Sequence, residues 1–284
     1  MIWMNGTLRE AEHAISAHDR GLLLGESVFE TLLVLDHIPQ FWGAHLARLA
    51  AAARFYDLHC PYGDDDLREG AQALLAAHKD ISARAILRIS LTGGAGGRGL
   101  VPQNPSPPTL IMQASQAPTP PAALTLADCD VLRFAGAAHN AHKTGAYMDN
   151  ILARKQALKA GADEAIMKNQ HGRIACAAAG NVFIASGDRL LTPPVSEGAL
   201  PGIMRAALLE QKKIGGLAVE ETPLSPALWQ AAKAIYITNS VQGIRPASYK
   251  SGVAQKKQGL LTDKASANNL TAALQEALPV FTDF

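Results

Sequence analysis

The sequence predicts an α+β fold in two lobes, and three observations carry the prediction. Short apolar strands are grouped into hairpins, with amphipathic helices lying between the groups. One proline-rich stretch, residues 114–122 (ASQAPTPPA), is the only convincing linker, since its prolines favour an extended path. No internal repeat occurs at a solenoid period. With 284 residues the chain can build two cores. Residues 116–122 divide a small N-terminal α/β domain, 1–115, from a larger, mostly-β C-terminal domain with helices, 123–284.

Charge and cysteine usage exclude several function classes. A net charge of +1 gives no reason to expect a nucleic-acid or membrane partner. No apolar run is long enough to span a bilayer, and the N-terminus lacks the basic and apolar regions of a signal peptide. Cys60, Cys129 and Cys176 are widely spaced, which argues against a disulfide framework or a structural zinc site. The expected setting is cytoplasmic.

Taken in order, residues 2–4 with Asn5-Gly6 read as a hairpin. A loop with two glycines follows at 19–26. Residues 28–35 (VFETLLVL) form a strand returning through 38–41. Residues 42–58 are an amphipathic helix with Leu46, Leu49 and Ala53 on one stripe, and His45 and Arg48 are neighbours at i, i+3. Residues 65–78 form a second helix. Strict alternation over 84–92 marks a half-buried strand. It runs into a glycine-rich loop, 93–99, that formally contains GxGxxG. A dinucleotide site needs a helix to open there, whereas the following LVPQNPSPP cannot start one, so that reading is rejected. Residues 109–113 and about 124–134 are strands. A helix is expected from about Thr144 to Ala160 with Gly161 ending it. Hairpins at 164–177 and 182–192, a helix opened by Pro201-Gly202, a buried strand at 234–238 and a closing helix at 264–278 complete the chain.

Lys143 stands between an apolar strand and a helical pattern. A lysine at such a junction can point inward and serve as an imine-forming amine, because desolvation disfavours its charged form. Taken alone, most lysines are solvated, so the neighbouring stretches decide. In order, "DRGLLLGESVFETL", "HLARL", "TGGAGGRG", "HKTGAYMDNILARKQALKAGADEA", "NVFIASGDRLLTPP", "LPGIMR" and "TNSVQGIRP" together resemble the fold-type IV, pyridoxal-phosphate-dependent enzymes of aminotransferase class IV. That family includes branched-chain and D-amino acid aminotransferases and aminodeoxychorismate lyase. The resemblance runs from about Asp19 to Pro246.

The resemblance implies a pyridoxal 5'-phosphate cofactor held by Lys143 as a Schiff base, with Lys143 also moving protons. It implies Arg48 on the cofactor phosphate, where a guanidinium can fork two oxygens. The backbone amides of Gly202, Ile203 and Met204, at a helix start, hold the same phosphate. Met204 stands where a threonine is common, so one hydroxyl contact is missing. Ser240 and Val241 match the other phosphate-binding pair, Tyr147 a tyrosine near the cofactor's phenolic oxygen, and Phe29 and Arg98 substrate contacts. A homodimer is also implied. One position departs. Family members carry a glutamate five residues before the Asn of "NVF", paired with the pyridine nitrogen so that the ring draws electrons from the substrate. Cys176 stands there, and a buried thiol stays neutral. Three readings stay open: catalysis with an unprotonated ring, another group replacing the carboxylate, or cofactor binding with weak turnover. The activity implied is amino transfer between an amino acid and a 2-oxo acid, with a lyase releasing pyruvate and 4-aminobenzoate as the alternative.

Overall fold

The computed structural model describes residues 1–12, 14–79, 81, 83–97, 99–101, 107–250 and 264–278. Arg98 lies outside the described residues. The chain forms two compact units. The first is Met1–Thr119 together with His142–Ala146; the second is Pro120–Ala141 together with Tyr147 and the described residues that follow it.

In the first unit, β1 (Ile2–Met4), β2 (Thr7–Arg9), β3 (Ser27–Leu35), β4 (Ile38–Pro39), β5 (Arg84–Thr92) and β6 (Thr109–Gln116) make one sheet. Its order is β2-β1-β6-β5-β3-β4. The long β3–β5 pairing runs antiparallel from Ser27↔Thr92 to Leu35↔Arg84. Alternation in β5 buries Ala85, Leu87, Ile89 and Leu91 on the face that two helices cover, α2 (Trp42–Phe55) and α3 (Asp64–Ala77). Gly70 lets α3 approach closely, since a Cβ there would lie 2.6 Å from the Trp3 ring. The helix expected over 42–58 stops at Phe55 because Asp57 takes a left-handed backbone, φ 53°. Within the loop expected at 19–26 sits a short helix, α1 (Arg20–Leu24), capped by the Asp19 side chain and ended by Gly25 at φ 69°.

The second unit is a nine-stranded sheet with helices. In chain order it holds β7 (Leu124–Leu132), α4 (Met148–Lys159), β8 (Glu164–Lys168), β9 (Ile174–Ala177), β10 (Asn181–Ser186), β11 (Arg189–Thr192), α5 (Ile203–Glu210), β12 (Lys213–Ile214), β13 (Leu217–Glu221), α6 (Pro226–Gln230), β14 (Ala234–Asn239), β15 (Gly243–Lys250) and α7 (Lys264–Glu276). The strand order is β12-β13-β11-β10-β14-β15-β7-β8-β9. Most pairs are antiparallel, but β11–β13, β15–β7 and β7–β8 run parallel. The helix expected from Thr144 begins four residues later. Thr144 instead bridges to Val28, and the Gly145 amide donates to the Ser27 carbonyl at 2.8 Å. Those residues extend the edge of β3, so their backbone groups are spent in a sheet. No helix among the described residues is long and apolar enough to cross a membrane.

Candidate active site

In the first unit the site is built around β3. Phe29 and Glu30 are adjacent on that strand and point to opposite faces. The Glu30 carboxylate lies under α2, where spacing at i, i+3 places His45 and Arg48 side by side. Arg48 forks it, Nε to Oε1 and Nη2 to Oε2, both at 2.7 Å. His45 Nδ1 lies 2.7 Å from Oε2, so that oxygen takes two partners. Glu30 and His45 are fully buried and Arg48 nearly so. Burial pushes the Glu30 carboxyl up, yet the hydrogen bonds of Arg48 and His45 and the charge of Arg48 overcome it and hold the pKa at about 2. For His45, burial pushes the pKa down, against the raising effect of Glu30, and the charges of Arg48 and Lys143 add to the lowering. The neutral ring with Nδ1 donating to the carboxylate leaves Nε2 an acceptor, and Nε2 is buried with no hydrogen-bond partner among the described residues.

Lys143 is fixed by its backbone. Its carbonyl accepts from the Phe29 amide at 2.9 Å. Gly145 leaves room for the Ser27 hydroxyl in this pairing, because a Cβ there would lie 2.0 Å from Ser27 Oγ and force that side chain to turn. Before it, the His142 ring packs on Phe55, with centroids 4.3 Å apart, and edge-on to Tyr56. The Lys143 ammonium lies 4.3 Å from the centre of the Phe29 ring, and the Arg88 guanidinium lies 3.7 Å from the same centre. Both distances are within cation–π range. Lys143, Phe29 and Arg48 are thus gathered about one strand.

The glycine loop expected after β5 is tied down by Arg20, which lies in the DRGLLLGESVFETL stretch but has no role assigned from it. Arg20 is buried and donates to the carbonyls of Gly99 at 2.9 Å and Leu100 at 2.7 Å, and it pairs with Glu26. A Cβ on Gly96 would fall 2.5 Å from the Arg20 side chain. The preceding Asp19 carboxylate is buried too and accepts from Thr92 and Thr109 hydroxyls at 2.9 and 2.8 Å.

In the second unit, the pairing Asn181↔Thr238 places the start of β10 beside the end of β14. The N-terminus of α5 and the β14–β15 turn, which carries Ser240 and Val241, thereby meet at one end of the sheet. Gly202 is the N-cap of α5 and offers no side-chain cap, and its own amide, expected on the phosphate, donates instead to the Leu200 carbonyl at 2.8 Å. The amides of Ile203 and Met204 in that first turn have no acceptor within the helix. A Cβ on Gly202 would come within 2.0 Å of Asn181 Oδ1, while Asn181 Nδ2 donates to the Leu200 carbonyl at 2.8 Å. Asn181 therefore sets the approach of this turn. In the other turn the Val241 and Gln242 amides donate to Asn239 Oδ1 at 3.1 and 2.8 Å. The longer bond, from Val241, is one that an anion would have to replace. Tyr147 is the N-cap of α4 and half-buried, its carbonyl accepting from the Ile151 amide at 3.0 Å.

Cys176 lies on β9 opposite Met167, packed in a cluster with Ala127, Ala165 and Ala175. Burial pushes its thiol up to about 11, with Arg133 pulling weakly the other way. It is neutral at pH 7. The one buried carboxylate among its electrostatic neighbours, Glu164, is committed to Arg154 Nη1 at 2.6 Å.

Within the first unit, the Lys143 amine and the Arg48 guanidinium held by Glu30 are groups of the kind that suit a phosphate-bearing carbonyl cofactor; within the second, the start of α5 without a side-chain cap suits a phosphate, whereas the neutral Cys176 thiol does not suit a protonated ring nitrogen. The model of the amino-transferase class IV family matches residues 27–249. The chain belongs to the class IV aminotransferase family and has the fold-type IV architecture. It is 29% identical over 277 residues, 93% of each protein, to a putative branched-chain-amino-acid aminotransferase of Methanocaldococcus jannaschii. A solved structure of a putative 4-amino-4-deoxychorismate lyase from Legionella pneumophila matches with a TM-score of 0.83 at 27% identity, covering 94% of this chain and 97% of that one. The solved branched-chain amino acid aminotransferase of Escherichia coli matches with a TM-score of 0.84 at 24% identity over 95% and 92% of the two chains. A further solved branched-chain aminotransferase of this fold carries pyridoxamine 5'-phosphate. The protein is accordingly an enzyme of the aminotransferase or lyase type.

Proposed function

We propose that this enzyme uses pyridoxal 5'-phosphate to move an amino group between a small amino acid and a 2-oxo acid. The observation that carries the reading is Lys143, locked by backbone pairing to the edge of β3 with its amine against the Phe29 ring. When bound, the cofactor supplies an electron sink that loosens bonds at the substrate's α-carbon. Lys143 Nζ would hold it covalently and, once freed, would take and return the α-proton, an orientation and acid–base effect of the kind that contributes ~10²–10⁴-fold. Arg48, the amides of Ile203 and Met204, Ser240 and Val241 would hold its phosphate, with Gly202 allowing the close approach, and Tyr147 would contact its phenolic oxygen. Phe29 and Arg98 contact substrate. Cys176, neutral and in apolar surroundings, would offer the ring nitrogen no charge partner, so α-proton removal would be slower than in a carboxylate-bearing enzyme unless another group replaces the carboxylate.

The test is a single-turnover panel of L- and D-amino acids against cofactor-loaded protein, followed by addition of 2-oxo acids. Conversion of the bound cofactor to its amine form, reversed by a 2-oxo acid, is expected. The Legionella likeness favours a second reading, the lyase, which would release pyruvate from aminodeoxychorismate with no 2-oxo acid present. Loaded protein inert toward every amine would instead favour cofactor binding with weak turnover, as Cys176 allows. A homodimer is part of the same proposal, and a monomer by light scattering would remove it.

A further inference from the structure

We infer that Glu30, held in turn by His45, is the positioning residue that gives Arg48 its selectivity for a phosphoryl group. The inference rests on the reading of Arg48 as the phosphate contact. A guanidinium is a flat fork at the end of a flexible side chain, and it recognises phosphate through paired hydrogen bonds only if its plane is fixed. Here the plane is fixed from behind. Nε and Nη2 meet the two Glu30 oxygens at equal 2.7 Å distances, which sets both the direction and the roll of the group, and directs the Nη1–Nη2 edge away from the carboxylate. The carboxylate cannot swing, because it sits on β3 with its Oε2 also 2.7 Å from His45 Nδ1 and with almost no exposure. The arrangement is orienting rather than attractive, since an ionised Glu30 and a neutral His45 leave the group of three with no net charge. As a source of positive potential for a dianion, Arg48 would do better without Glu30.

That opposition makes the inference testable. Glu30→Gln keeps the size and removes the negative charge, so attraction by charge alone predicts tighter binding of a phosphate. Orientation predicts weaker binding, because an amide cannot accept through both ends. The measurement is the dissociation constant of pyridoxal phosphate and of pyridoxal, which lacks the phosphate, for the full chain freed of cofactor, followed by the imine absorbance. The quantity compared is the ratio of the two constants, which a general loss of stability does not move. We expect Glu30→Gln to lower that phosphate preference by about 10-fold while leaving the pyridoxal constant near the wild-type value. Arg48→Lys, which keeps the charge and loses the fork, is expected to do the same and covers the case in which Glu30→Gln fails to fold. His45→Asn, whose amide nitrogen can stand in for Nδ1, should retain the preference, and His45→Ala should lose part of it. An unchanged or raised preference in Glu30→Gln and in Arg48→Lys, with Arg48→Ala losing it, overturns the positioning role while the phosphate reading stands. An unchanged preference in Arg48→Ala removes the phosphate reading, and the positioning role with it.

Discussion

Position 30 and position 176 hold opposite solutions to the same problem of a polar group on a buried strand. At Glu30 a carboxylate is kept ionised in the interior because Arg48 and His45 supply hydrogen bonds to both oxygens. At Cys176 the resemblance calls for a carboxylate, and the chain has a thiol among alanines with no charged partner at hydrogen-bond distance among the described residues. Burial acts on both groups in the same direction, and the difference lies wholly in the partners. An acid on a buried strand stays charged only where its neighbours were built for it. A carboxylate restored at position 176 therefore needs a partner of its own, which the ring nitrogen of a bound cofactor would supply.

The largest expected effect is at position 30. Glu30→Ala strands the Arg48 charge and should cost about 3 kcal/mol or more, whereas Cys176→Ala should cost about 1 kcal/mol or less, the loss of a small apolar group. Denaturant unfolding of the two variants checks this, and equal costs would break the contrast. Next comes pH. The Glu30 pKa in the folded chain, about 2, lies below its ordinary value of 4.5, so its contribution is complete above 4.5 and is lost as the pH falls through 2. It amounts to roughly 3 kcal/mol. His45 acts in the same sense, because its lowered pKa means that acid protonates the unfolded chain first, from below 6.5. Acid unfolding of Glu30→Gln should accordingly lose much of its steepness between pH 4.5 and 2, while Cys176→Ala retains the wild-type profile. The smallest effect is kinetic. Cys176→Glu should raise the rate of amine-dependent cofactor conversion several-fold, on the order of 1 kcal/mol in the barrier, while lowering stability. A flat or reduced rate would mean that the thiol position is not what limits α-proton removal.

Much of this is legible in the sequence where the signal is local. The alternation in β5 gives its boundaries to the residue, and the Pro-Gly before α5 marks that helix start. Lys143 stands out only through the ordered motifs around it. The start of α4 falls later than the helical pattern suggests because Thr144 and Gly145 obey a distant strand rather than their helical neighbours. Glu30 is absent from the candidate residues although it is the one charge inside an otherwise apolar strand run, a signal in plain view. Its partners lie 15 and 18 residues away, and nothing local names them. Arg20 is hidden for the same reason, its carbonyl partners being nearly 80 residues downstream. Strand β15 escapes the pattern because Arg245, Ser248 and Lys250 interrupt its apolar residues and Pro246 argues against a strand, while pairing on both sides by β14 and β7 overrides that local signal.

Everything proposed for catalysis depends on Lys143 as the cofactor's anchor. The most direct test is the absorbance spectrum of the purified protein with pyridoxal phosphate, taken beside Lys143→Ala, then borohydride reduction and peptide mapping. A visible imine band is expected in the wild type and none in the variant, with the reduced label on the peptide that contains Lys143. A band that survives in Lys143→Ala, or a label on another lysine, would contradict it.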